Sequence, residues 1–106
     1  MTGYVAMGSS YAAGPGIPPL VERAALRSGL NYAHLVANDA GLRLTDVTCS
    51  GAVTANLLDT PQRGLGKRFP PQIDAIHTDT TLVTATVGGN DLGYIGAVTS
   101  AAVHAR

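Results

Sequence analysis

An α/β fold built on a parallel sheet is what this sequence predicts, and the pattern of its apolar runs is the reason. Three such runs, Tyr4 to Met7, Leu44 to Thr48 and Leu82 to Val87, each close on a turn of small polar residues. Segments with helical features fall between the first and second runs and between the second and third. Strands alternating with helices are joined by right-handed crossovers and give a parallel sheet covered on both faces. A length of 106 residues allows one small domain at most, spanning 1–106.

The first run delivers Gly8-Ser9-Ser10 onto a tight turn at the carboxyl end of its strand, where open α/β sheets place their active sites. The stretch Gly14-Pro15-Gly16-Ile17-Pro18-Pro19 is too rich in proline for a helix or a central strand and reads as a stiff loop. Leu20 to Leu26 is either a short helix or an irregular lid over the site. Asn31 is the expected N-cap of a helix in which Tyr32, Leu35, Val36 and Ala40 repeat at helical spacing, ending at Gly41. A strand is expected over Leu42 to Cys49, and a brief helix over Ala52 to Leu58, stopped by Thr60-Pro61. Gln62 to Pro71 reads as loop, and Gln72 to His77 as a helical turn. Leu82 to Val87 is the clearest strand, β-branched over most of its length. A helix is expected from Tyr94 to Val103. In the flavodoxin-like order the first strand lies between the second and third, which leaves Leu82 to Val87 as an apolar edge prone to association.

Composition narrows the function classes. Apolar residues make up 45% of the chain and charged residues 13%, which fits a globular fold rather than disorder. Seven Lys and Arg balance seven Asp and Glu, so neither nucleic acid nor a membrane is expected as a partner. Arg63, Lys67 and Arg68 gather in one Gly-rich stretch, read as a solvated loop. Neither a signal peptide nor a membrane span is expected from the residues of this chain. The lone cysteine, Cys49, is read either as a small buried hydrophobe or as a thiol whose partner lies in sequence outside this chain. The spacing of His and Cys suits no zinc site, so no metal and no cofactor is expected. Gly8-Ser9-Ser10 lacks the lysine of a phosphate-binding P-loop.

Taken together, Gly8-Ser9-Ser10, Gly51 and Gly88-Gly89-Asn90-Asp91 resemble, in order and spacing, the first three motifs of the SGNH (GDSL-type) serine esterases and lipases. Asn31-Tyr32-Ala33-His34-Leu35 and Pro70-Pro71-Gln72-Ile73 are also similar to actinobacterial members. The resemblance implies a three-layer, flavodoxin-like SGNH hydrolase fold, here truncated to about three strands as the N-terminal portion of a single domain. It further implies that Ser10 is the nucleophile and that an oxyanion hole is formed by the Ser10 N–H, the Gly51 N–H and the Asn90 side-chain amide. The residue types suit those roles: glycine lets the backbone approach a substrate, and Asn90 offers an uncharged donor.

The chain departs from the family pattern twice. Ser9 stands where the family has Asp, which bears on the rigidity of the turn more than on the nucleophile. The family's Asp-x-x-His is absent: His104 has Ala101 three residues before it, and His34 and His77 lie in polar surface positions. The expected function is therefore ester hydrolysis on a small-molecule lipid, acyl or acetyl ester, inactive in this chain without a further segment bearing Asp-x-x-His. The alternative is a non-catalytic or vestigial α/β module that holds a ligand in the same Gly-rich cleft.

Overall fold

The structure is a computed structural model and describes residues 2–93. The helix expected at Tyr94 to Val103, and His104, lie outside the described residues.

Three parallel strands form the sheet: β1 (Gly3–Gly8), β4 (Arg43–Asp46) and β7 (Thr80–Thr86), in the order β4-β1-β7. Two small antiparallel hairpins complete the strands, β2 (Leu20–Glu22) with β3 (Arg27–Ser28), and β5 (Gln62–Gly64) with β6 (Lys67–Phe69). The helices are α1 (Ser10–Ala13), α2 (Tyr32–Ala40) and α3 (Thr54–Leu58), and single 3-10 turns occupy Arg23–Ala25 and Gln72–Ala75.

Strand β1 is buried along its whole length because it is central in the sheet and covered on both faces. Side chains alternate across a strand, so Tyr4 and Ala6 face one layer while Val5 and Met7 face the other. The first pair packs with Ala33 and Ala37 of α2, whose small side chains let the helix sit close to the sheet. The second pair packs with Ala52 and Leu57, flanked by Val47, Ala75 and Val87. Three layers result, as expected.

Four expectations are refined. The second strand is shorter than Leu42 to Cys49. Past Asp46 its side chain turns back onto the Thr48 N–H at 3.0 Å and hydroxyl at 2.6 Å, while the Thr48 carbonyl accepts from Arg27 Nε at 2.7 Å. Such local side-chain bonds compete with a sheet ladder. Leu20 to Leu26 follows neither alternative: it forms β2 and a 3-10 turn, after which Leu26 stands in the left-handed region at φ 49. Gln62 to Pro71 is not all loop: β5 and β6 meet at Leu65-Gly66, with φ 49 and 75, the geometry of a two-residue primed turn. Leucine is an uncommon occupant of that position, which hid the hairpin. The expected helical turn at Gln72 to His77 is the shorter Gln72–Ala75. Strand β7 is an edge of the three-stranded sheet, as β4 is, with Leu82 and Val83 open to solvent.

Candidate active site

All three motif turns stand at the carboxyl ends of the parallel strands or just beyond them. At the first, Gly8 adopts φ 146, and a Cβ there would lie 2.5 Å from the Thr86 carbonyl oxygen. Only glycine fits. Ser9 makes no side-chain cap bond, yet its backbone orders the turn: its N–H donates to Thr86 C=O at 2.9 Å, and its C=O accepts from Ala12 and Ala13. These backbone bonds do not depend on the side chain at position 9. Ser10 opens α1 and is half-buried. Its N–H lies in the first helical turn, where amides have no partner within the helix.

Gly51 adopts φ 89 in the second turn. On either side of it, Ser50 N–H donates to Ala25 C=O at 2.9 Å and Ala52 N–H to Cys49 C=O at 3.1 Å. Gly51 N–H is left without a partner among the described residues. In the third turn, Asn90 Nδ2 donates one hydrogen to Ala52 C=O at 2.9 Å and keeps a second. Asp91 accepts from the Thr54 N–H at 2.9 and 3.1 Å and from the Thr54 hydroxyl at 3.0 Å.

These bonds close a triangle. Cys49 N–H donates to Gly8 C=O at 3.0 Å, joining the first turn to the second; Ser9 joins the first to the third; Asn90 and Asp91 join the third to the second. The structure therefore ties together the turns that carry Ser10, Gly51 and Asn90.

Two supports were not singled out in the sequence. Gln72, 4% exposed, receives the Gly8 N–H at 2.7 Å and donates to the Gly8 C=O at 3.1 Å. In the sequence it appears only within Pro70-Pro71-Gln72-Ile73 and the expected helical turn, with no role of its own. Asp46 accepts from Asn31 Nδ2 at 2.8 Å, and Asn31 Nδ2 also donates to Ala13 C=O at 3.3 Å, so the end of α1 is anchored to β4. Asn31 is the N-cap of α2 as expected, accepting from the His34 N–H, and its amide does this second task as well.

Neither described histidine is hydrogen-bonded to Ser10. His34 Nδ1 lies 2.9 Å from Asn31 Oδ1 and 3.4 Å from Asp46, and His77 precedes β7 at the amino end of the sheet. Burial pushes the Cys49 thiol up, which keeps it protonated and a poor nucleophile. Among the described residues no cluster of His, Cys, Asp and Glu could hold a metal ion, and no helix is long and apolar enough to cross a membrane. A cavity of about 450 Å³ lies beside α2 between Leu30, Leu35 and Leu44 and touches none of the three turns. Hydrogen bonding, rather than cavity size, locates the site. A smaller cavity of about 200 Å³ runs behind Gln72, between Phe69 and Val47.

A three-layer parallel α/β sheet with these turns at its carboxyl edge defines an SGNH-type fold. The model of the GDSL-like lipase/acylhydrolase family matches residues 6–105, and the chain belongs to that family. Lipase 2 of Streptomyces coelicolor is 46% identical over 100 residues, covering 92% of this chain and 32% of the relative. Among solved structures, phospholipase A1 from Streptomyces albidoflavus superposes with a TM-score of 0.76 at 31% identity, covering 93% of this chain and 39% of that one. An extracellular lipase from Streptomyces rimosus gives 0.73 at 32% identity, with the same coverage. The chain spans about a third of the length of the curated relative, 32%.

Proposed function

We propose that the protein is a serine ester hydrolase to which this chain contributes the nucleophile and the oxyanion donors. The triangle of hydrogen bonds joining the three motif turns carries the reading. On it, Ser10 Oγ attacks the ester carbonyl carbon and passes its proton to a base. Charge then develops on the carbonyl oxygen, which the N–H groups of Ser10 and Gly51 and the free hydrogen of Asn90 Nδ2 are suited to receive. Collapse expels the alcohol and leaves an acyl-serine, which water hydrolyses by the same route. The lipase and phospholipase descriptions of the relatives support a carboxylic ester as substrate. The extracellular description of the Streptomyces rimosus lipase supports export of the whole protein.

The base is the missing component. A serine hydroxyl is a weak nucleophile until its proton is removed, and neither described histidine bonds to Ser10. We assign that role to an Asp-x-x-His segment outside these 106 residues. In serine proteases, loss of the triad costs about 10⁶ in rate and leaves roughly 10³–10⁴ over water, so residues 1–106 alone should fall below the detection of an aryl-ester assay.

The test compares hydrolysis of a p-nitrophenyl ester by residues 1–106 alone, by the same chain supplied with an Asp-x-x-His segment, and by the Ser10→Ala variant of the supplemented protein. Activity should appear only on supplementation and vanish with Ser10→Ala. Turnover that survives Ser10→Ala overturns the nucleophile. Ser10-dependent turnover by residues 1–106 alone, abolished by His104→Ala, overturns the external base.

A further inference from the structure

The β5–β6 hairpin has two chemically different faces. Its register sets Gln62 opposite Phe69, Arg63 opposite Arg68 and Gly64 opposite Lys67. Alternation puts Gln62, Gly64, Lys67 and Phe69 on one face and the two arginines on the other. The first face is held by the rest of the protein. Gln62 Nε2 donates to Ser50 C=O at 3.0 Å, and Lys67 Nζ bonds Glu22 at 2.9 Å while lying 5.5 Å over the Phe69 ring. The second face presents Arg63 and Arg68 directly opposite one another, both exposed and in no ion pair among the described residues.

Like charges facing each other destabilise a ribbon. The tip adds a second cost: Leu65 is held in the left-handed region at φ 49, yet the residue is 77% exposed. Glycine or asparagine would fit that turn with less strain. Neither feature contributes to packing. An apolar tip flanked by two unpaired guanidinium groups matches a surface whose outer layer is anionic and whose inner layer is hydrocarbon.

We propose that the β5–β6 hairpin docks on an anionic lipid surface, with Leu65 entering between headgroups and Arg63 and Arg68 bonding their phosphates. The balanced net charge, which suggested no membrane partner, averages over the chain and conceals this local concentration. An acidic protein or a nucleic acid would use the arginines but has no evident need of an exposed leucine at the apex. The root of the hairpin touches the Gly51 turn through Gln62.

The experiment is co-sedimentation of the full chain with vesicles of phosphatidylcholine alone or of equal parts phosphatidylcholine and phosphatidylglycerol. It reads binding without turnover and so stands or falls separately from the hydrolase reading. The chain should bind the mixed vesicles, bind phosphatidylcholine far less, and be released by high salt. Arg63→Gln and Arg68→Gln should each weaken partitioning about fivefold. Leu65→Asn, which suits the left-handed position, should weaken it at least about tenfold. Arg63→Lys with Arg68→Lys should retain most of the binding. Equal partitioning onto both vesicles, none onto either, competition by soluble nucleic acid at matched ionic strength, or undiminished binding by the glutamine and asparagine variants with native unfolding midpoints would each overturn the proposal.

Discussion

Gln72 holds both polar groups of Gly8: the glycine N–H donates to its Oε1 at 2.7 Å, and its Nε2 donates to the glycine C=O at 3.1 Å. The side chain thus behaves as one rung of an additional strand, placed at the residue from which the Ser10 turn springs. Since Gly8 C=O also accepts from Cys49 N–H, both of its lone pairs are in use.

Removing that amide should be costly. Gln72→Ala breaks two buried hydrogen bonds and leaves the Gly8 N–H unsatisfied, a loss of about 2–4 kcal/mol. Gln72→Glu keeps the acceptor but removes the donor and buries a carboxyl group. Urea unfolding of both variants checks this, and a change within about 0.5 kcal/mol, ordinary for a surface site, would refute the positioning role.

Asp91 caps Thr54 across 37 residues of sequence. Asp91→Ala should lower stability by about 1 kcal/mol, the usual cost of a lost N-cap, discounted for its exposed setting. The second effect is local. Without Asp91 the Asn90 bond to Ala52 is the one hydrogen bond left between the third turn and the second among the described residues, so the Asn90 side-chain amide resonances should move toward solvent-averaged positions. Unchanged amide resonances would show that Asp91 does not position Asn90.

Cys49 makes stability depend on pH in the alkaline range. It is 2% exposed, and burial raises its thiol above the ordinary value. The folded state therefore holds the proton longer than the unfolded chain does. The stabilisation is full below the unfolded thiol value of about 8.5 and is lost as pH rises through the folded value. Urea midpoints should fall more steeply above that pH in the native chain than in Cys49→Ala. A thiol reagent at neutral pH should label the folded chain slowly; labelling as fast as in urea would contradict the burial.

Ser50 should gain from losing its hydroxyl. Its Oγ is buried with no hydrogen-bond partner among the described residues, as is the Oε1 of Gln62. Deleting an unsatisfied buried polar group is neutral to stabilising, here by up to about 1 kcal/mol. A raised or unchanged melting temperature for Ser50→Ala is the expected result; a fall of several degrees would mean that the hydroxyl has a partner in solution.

Much of this architecture was legible because it is local. β-Branched residues over Leu82 to Val87 favour an extended strand. Asn31 before Tyr32 and Gly41 after Ala40 bound α2 by capping chemistry that operates within a few residues. Gly8, Gly51 and Gly88 mark backbone positions with positive φ, which glycine tolerates. The β5–β6 hairpin was missed because leucine sits where the turn usually takes asparagine or glycine.

The sequence by itself determined the three strand-and-turn units, their motif residues and the family to which the chain belongs, since each of these follows from short-range patterns. Tertiary structure alone decided what holds the turns in place. Gln72 reaches Gly8 across 64 residues, Asp91 reaches Thr54 across 37, and Asp46 gathers Asn31 and Arg27 from separate segments. No periodicity announces such partners. A polar side chain reads alike in sequence whether it meets water or a backbone amide, and only the folded chain determines which of the two it finds.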